Sequence, residues 1–350
     1  MLQDSYNKEI RKKYMIIIFV SILTLLLGYI FMTLGMKQAS SWQVFIAIEK
    51  LFFGTINSGI DVATNKIILL LRMPRILLAI LAGVGLAIAG AIMQSVTRNY
   101  LVSPFTLGIS SAAAFGASVC IVFGTGLFFQ SDLGMITCAF VSSCGCGLIV
   151  YGVSKKIGVK PSSIVLVGIA LNYLFSAMTA TIEFFAKEHK LEAVVQWTFG
   201  TFNRATWEYV LIAFFVVTFG FIILMNYCLH LNAMASNDDE MVKSLGINPE
   251  KLRTICGLVS VFITSTIISF TGVIGFIGLI APHMARIIIG NDHRFYIPFS
   301  GILGALLLLI SDTIGKFILY PVNIPVGIVI SFLGVPLFIH LILSRRNGLE

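Results

Sequence analysis

Charged side chains are scarce in this sequence. Asp, Glu, Lys and Arg make up 11% of it, where a soluble domain carries about 25%. That scarcity excludes an ordinary water-soluble globular protein. Catalytic signatures are missing as well. There is no H-E-x-x-H, no G-x-S-x-G and no G-x-x-x-x-G-K-[ST], so the chain has no P-loop of its own. Gly315-Lys316 lacks both the upstream glycine and the following hydroxyl, and Gly108-Ile-Ser110-Ser reads as helix packing rather than as a nucleophile turn. The six cysteines (120, 138, 144, 146, 228, 256) sit in or at the ends of apolar runs, which gives no disulfide framework. The five histidines (189, 230, 283, 293, 340) are scattered and form no metal site. A net charge of +8 comes without a stacking motif or a soluble basic domain. It therefore speaks for membrane topology and not for nucleic acid.

Apolar residues fill the space that charge leaves, at 57% of the chain and a mean hydropathy of +0.96. Uncharged runs occupy 14–36, 76–97, 99–131, 133–154, 161–182, 254–282, 295–311 and 317–344. Most exceed the roughly 20 residues that a helix needs to cross a bilayer. Only helices and closed barrels satisfy their backbone in lipid. These runs are apolar all round rather than alternating, so the expected fold is an all-α integral membrane protein of about ten transmembrane helices. It reads as a single domain over 1–350, with a short tail at 1–13.

Spans are expected at about 15–36, 74–97, 106–124, 133–153, 162–186, 207–229, 249–270, a short or broken helix ending near 289, 296–318 and 325–343. The first reads as a retained helix rather than a signal peptide. Pro74 suits a helix start. Ala79, Gly83, Ala87 and Ala91 form a small-residue stripe that lets backbones approach closely. Segment 37–71 is polar and partly amphipathic, and 187–206 reads as an external loop with interfacial Trp197 and Trp207. Of the 24 Lys and Arg, fifteen then fall on the side of the termini and nine on the other. The positive-inside rule places both termini, and segment 232–250, in the cytoplasm.

That segment holds the longest charged stretch after the first span. Asn237 can cap a short helix whose first turn holds Asp238, Asp239 and Glu240, followed by Met241, Lys243, Ser244 and Leu245, with Gly246 as its stop. Asn248 then caps a second helix with Pro249 at its first position. Two readings fit: an ordinary polar loop, or a handle for another protein.

The order of motifs carries a resemblance. Arg72-Met-Pro-Arg75, Gln94-x-x-x-Arg98-Asn99-x-Leu-x-x-Pro104 and Leu107-Gly108-Ile-Ser110 come first. Ser244-Leu-Gly246-Ile-Asn, Gly275-Phe-Ile-Gly278-Leu-x-x-Pro282-His283-x-x-Arg286 and Asp292-His293-Arg294 follow. Ser311-Asp312, Asn323-Ile-Pro325-Val-Gly327 and Gly334-x-Pro336 complete the set. Over about 66–344 the chain resembles the permeases of iron-siderophore, haem and vitamin B12 ABC importers, the FecCD type. The resemblance implies a permease dimer, of two copies or of two paralogues. It also implies two cytoplasmic ATPase subunits that use ATP and Mg, an external or periplasmic substrate-binding protein, and a place in a prokaryotic cytoplasmic membrane. No cofactor is implied on this chain.

The resemblance makes Arg72, Arg75 and Lys316 the docking cations for the binding protein, although Lys316 lacks the fork geometry of the usual Arg. For Arg72 and Arg75, interfacial snorkelling is the alternative. Residues 238–246 become the ATPase-coupling helix. Gln94, Asn99, Pro104, Ser110, Asn172, Gly275 and Gly278 fall along the translocation path. Glu183 either lines that path or is interfacial. The implied cargo is an iron complex, with cobalamin as the alternative. A more distant alternative is an ion-coupled secondary transporter, for which Asn172 and Glu183 are poor material.

Overall fold

Inside a bilayer every backbone N–H and C=O must find a partner within the protein, and a helix provides one for each residue. A computed structural model describes residues 2–34, 39–53, 61–125, 131–319 and 322–346, and among these there is no strand. The elements are α1 (Leu2–Thr33), α2 (Ser41–Phe53), α3 (Val62–Lys66), a π-helical turn (Ile67–Arg72) and α4 (Met73–Thr97). Then come α5 (Ile109–Phe123), α6 (Asp132–Lys156), α7 (Pro161–Phe185), α8 (Glu188–Thr198), α9 (Trp207–Asn226) and α10 (Cys228–Ser236). The chain closes with α11 (Asp239–Ser244), α12 (Pro249–Thr271), α13 (Ile277–Ile289), α14 (His293–Phe317) and α15 (Val326–Arg346). Seven described stretches are long and apolar enough to cross a membrane, and Ile109–Phe123, Ile277–Ile289 and Val326–Pro336 are shorter apolar helices. At about 1.5 Å per residue, α13 covers about 20 Å, less than the hydrocarbon core.

Several sequence expectations are corrected. Pro74 falls in the first turn of α4, as the sequence expects, but the span does not begin there. Helical backbone runs continuously from Val62 to Thr97, and the π turn just before Pro74 absorbs the proline's missing N–H and steric demand. The π turn also leaves the Leu69 carbonyl to accept from Trp207 Nε1 at 2.9 Å. The supposed loop 187–206 contains α8, and Trp197 is packed inside it at 3% exposure rather than standing at the membrane surface. The span expected at 207–229 divides into α9 and α10 at Tyr227. Helix α5 begins at Ile109, after a turn closed by Gly108 at φ 81°. Residue 237 closes α10, its Nδ2 donating to Ala233 O, and Asp238 precedes α11 instead. The expected end of the first span at 35–36, and Lys37, lie outside the described residues.

Helix α4 is the centre of the bundle, packed on α14, α12, α13 and α9. Its small-residue stripe is fully buried and faces α14. A Cβ on Gly83 would collide with the backbone at Gly304, and one on Gly304 with the backbone at Gly83 and the methyl of Ala87. Gly90 meets the backbone of Gly278 in the same way. The helices touch backbone to backbone, where dispersion is strongest and lipid cannot enter.

Contacts sort the chain into two ends. At one, Arg72 reaches Met32 and Thr33, Arg75 reaches Asn203 and Asp312, and Val326 N donates to Gly200 O. At the other, Arg294 reaches Tyr6, Arg98 reaches Met234, and Arg253 reaches Val159.

The close approach makes a specific prediction. Gly83→Val should lower the thermal midpoint of the detergent-solubilised permease by the equivalent of about 1–3 kcal/mol, the usual penalty for overpacking. Gly145→Ala, whose added Cβ meets nothing within 4 Å, should leave it in place. Equal midpoints for the two variants would contradict the packing.

Candidate functional site

At the first end a single carboxylate gathers the cations. Asp312 lies in the last turns of α14, its side chain 5% exposed. Arg75 grips it with a fork: Nη2 at 2.7 Å and Nε at 3.0 and 3.2 Å. Lys316 Nζ, one helical turn on, stands 2.9 Å from the other oxygen. Arg75 Nη1 also donates to Asn203 Oδ1. Arg72 Nη1 donates to Met32 O at 2.7 Å and to Thr33 O at 3.3 Å, so this guanidinium ties α4 to the end of α1. Two cations on one anion, with Arg72 beside them, give this cluster an excess of positive charge. Of the three sequence-predicted residues, two converge on Asp312 and the third stands one turn away. Asp312 was noted in the sequence only as part of a motif. An ionisable residue in an apolar span, four positions before a lysine, was the signal for its role.

At the opposite end α11 is held between α10 and α12. Asn248 Oδ1 accepts from Lys251 N at 3.0 Å and Pro249 follows, as the capping pattern required. Gly246 stops α11 at φ 79°. Val242 is fully buried, whereas Met241, Lys243, Ser244, Leu245 and Gly246 are exposed. Met241 at 57% and Leu245 at 59% exposure form an apolar pair on an otherwise polar surface. Asp239 turns inward to Arg253 and Arg98. Hydrogen bonding from Arg253 holds its carboxyl below the ordinary value, against the opposing effect of burial. The charges of Arg253, Arg98 and Lys243 add to the lowering.

Next to this helix lies a cavity of about 500 Å³, lined among others by Gln94, Arg98, Asn232, Arg286, Asp292 and His293. Asn232 is its organiser. It donates to Asp292 Oδ1 at 3.0 Å and accepts from His293 N at 2.8 Å, while His293 Nε2 meets Ser95 Oγ at 2.7 Å. Burial would raise the Asp292 carboxyl, but hydrogen bonds from Arg294 and Asn232 outweigh it and bring it down to about 2. Arg286 sits over Tyr100, its guanidinium carbon 3.8 Å from the ring centre, and donates to Tyr296 OH at 2.8 Å.

Between the ends, Pro104, Ser110, Gly275 and Gly278 share one small cleft with Phe105 and Phe276. A neighbouring cavity of about 350 Å³ adds Phe199, Ser331 and Phe332. Among the described residues, no ionisable side chain lines either. Residues 272–276 are not helical, and Phe276 has φ 65°, a strained value for a bulky residue. Gln94 is buried over Gly278 and Leu279, whose carbonyls lie 3.4 Å from its Nε2. Asn99 instead closes the turn after α4, accepting from Leu101 N. Asn172 packs beside Gly108, and Glu183 sits near the far end of α7. Neither lines these cavities.

The chain is similar to known proteins in sequence and fold. The chain is 43% identical over 288 residues, 80% of its length and 82% of the relative's, to a Methanocaldococcus jannaschii protein named "Putative ABC transporter permease protein". It is 32% identical to the hemin transport system permease protein of Yersinia pestis, over 92% of this chain and 96% of that one. A solved structure, "An inward-facing conformation of a putative metal-chelate type ABC transporter", superposes with a TM-score of 0.82 at 28% identity, covering 94% of this chain and 99% of the other. Residues 14–344 match the FecCD transport family. The chain belongs to that family, as a multi-span permease component of an ABC importer.

Proposed function

We propose that this permease carries an iron complex, a ferric siderophore or haem, across the cytoplasmic membrane of a prokaryote. The observation behind the cargo is the aromatic cavity around Phe276, in whose lining no described residue is ionisable. Such a wall suits a bulky chelate with an unsaturated face and gives little to a small hydrated oxyanion. Among relatives, the hemin permease of Yersinia pestis and a Fe(3+)-citrate permease of Bacillus subtilis favour iron, while a molybdate permease of Haemophilus influenzae represents the oxyanion case. Cobalamin, also bulky and unsaturated, is the second reading.

In this proposal the end bearing Arg72, Arg75 and Lys316 faces outside and receives a loaded binding protein through its carboxylates. The end bearing the termini and segment 232–250 lies in the cytoplasm. There α11 contacts one of two ATPase subunits, which bind and hydrolyse ATP with Mg. Two permease chains, identical or paralogous, enclose a path that includes Pro104, Ser110, Gly275 and Gly278. Hydrolysis moves α11, and the bundle rocks to switch access. This chain performs no covalent step.

Replacing Arg72 by Glu and Arg75 by Gln should weaken docking of the binding protein at least about tenfold and abolish uptake, as expected when one side of a charge pair is removed. Unchanged docking in a pull-down would remove these residues from the interface. A cysteine at Ser244 should crosslink to the ATPase subunit, and failure at 241, 243, 244 and 245 alike would dismiss α11 as the contact. Deleting the gene should abolish growth on one defined ferric chelate or haem. Normal growth on all of them, with loss of cobalamin-dependent growth, would select the second reading.

A further inference from the structure

Asp239 does not behave like the rest of α11. Its neighbours face solvent, whereas its carboxylate points back into the protein. Oδ1 meets Arg253 Nη2 at 2.6 Å and Arg98 Nη2 at 3.0 Å, and Oδ2 meets Arg253 Nη1 at 2.8 Å. Arg253 lies one turn into α12 and has no exposure at all. Its remaining hydrogen bonds go to backbone carbonyls of two other segments. Nε donates to Val96 O, in the last turn of α4, at 3.1 Å, and Nη1 donates to Val159 O, just before α7, at 3.1 Å. Arg98 binds Asp239 from the other side while its Nε holds Met234 O and its Nη2 holds Asn237 O, at the end of α10.

One guanidinium thus joins α11 to α12, α4 and the approach to α7. The joint is stiff for two reasons. Charge-assisted, two-pronged bonds resist both stretching and rotation. Breaking them would leave a buried guanidinium without its counterion, a strongly unfavourable state. The rest of α11 is lightly attached. Val242 is its one buried side chain, and Gly246, with open space around it, lets the chain bend where α11 ends.

We propose that Asp239 and Arg253 are positioning residues of the transport cycle: they form the joint through which displacement of α11 is passed to the inner ends of α4 and α7. This rests on α11 being the ATPase contact, and the two ideas separate experimentally. The complete transporter is reconstituted with its ATPase subunits and loaded binding protein. Nitroxide labels are placed at the exposed positions Glu240 and Lys160. If the joint transmits motion, the distance between them stays constant when ATP binds, while distances from either label to α9 change. A Glu240–Lys160 distance that changes in the otherwise unaltered protein would overturn the proposal. In Asp239→Asn, the stimulation of ATP hydrolysis by the loaded binding protein should fall at least about tenfold, the usual scale of coupling between sites. Asp239→Glu, which keeps the carboxylate, should restore most of the stimulation. Full stimulation in Asp239→Asn, with the Ser244 crosslink intact, would sink the joint and spare the coupling helix. Absence of the crosslink in otherwise unaltered protein would sink both.

Discussion

The backbone contact between Gly83 and Gly304 fixes the geometry on which the rest of the molecule depends. No side chain separates α4 from α14 there, so the two helices act as one body rather than as two that slide. Both ends of the pair are then pinned by polar contacts. Arg75 on α4 grips Asp312 on α14 at one end, and at the other Ser95 on α4 meets His293 on α14 while Gln94 accepts from Tyr296. A helix of 25 residues is about 37 Å long, enough to carry one contact surface at each side of a membrane. The Arg75–Asp312 grip and the Asp239–Arg253 pair that holds α11 to α4 therefore lie at opposite ends of the α4–α14 pair.

A second constraint explains the break in the bundle. Backbone that leaves the helix at membrane depth must be covered by protein or by a water-filled cavity. After α12 ends, Thr271 O accepts from Thr201 N at 2.7 Å. The segment bonded to it, Phe199 and Gly200, in turn accepts from Gly327 N and Val326 N at the start of α15. Three irregular stretches thus satisfy one another, and Trp197 is buried because α8 packs over their junction. The strained backbone of Phe276, which costs on the order of 1–3 kcal/mol, opens α13, its carbonyl accepting from Leu279 N and Ile280 N. It turns the aromatic ring toward the cavity shared with Phe105 and Phe332.

Features with a local cause were legible in the sequence. The stripe Ala79, Gly83, Ala87, Ala91 gave the packing face of α4, because small residues every fourth position mark close approach. The Asn248–Pro249 start and the Gly246 stop were set by capping chemistry within a few residues. The broken stretch before α13 was signalled by three glycines. Features with a distant cause were not legible. The π turn before Pro74 depends on a helix already running from Val62, which the polar residues of 61–66 conceal. Helix α8 is polar enough to pass for a loop and is helical because α5 and the junction receive its apolar face. Arg253 looked like one more cytoplasmic cation. Its burial follows from the meeting of Val96, Val159 and Asp239, which lie 157, 94 and 14 positions away.

Each end of the α4–α14 pair carries one carboxylate shared between two cations: Asp312 between Arg75 and Lys316, Asp239 between Arg253 and Arg98. Buried ion pairs are a weak source of stability, since apolar groups of similar volume often hold helices as well. What a shared carboxylate provides is direction. At Asp312 the lysine comes from the same helix, four residues on, so only Arg75 ties one helix to the other. At Asp239 both arginines come from other segments, so the carboxylate links α11 to several bodies at once. The Asp312 site thus holds Arg75 and Lys316 in a fixed array across the helix pair, with Arg75 also reaching Asn203. The Asp239 site extends from a lightly attached helix into the centre of the bundle.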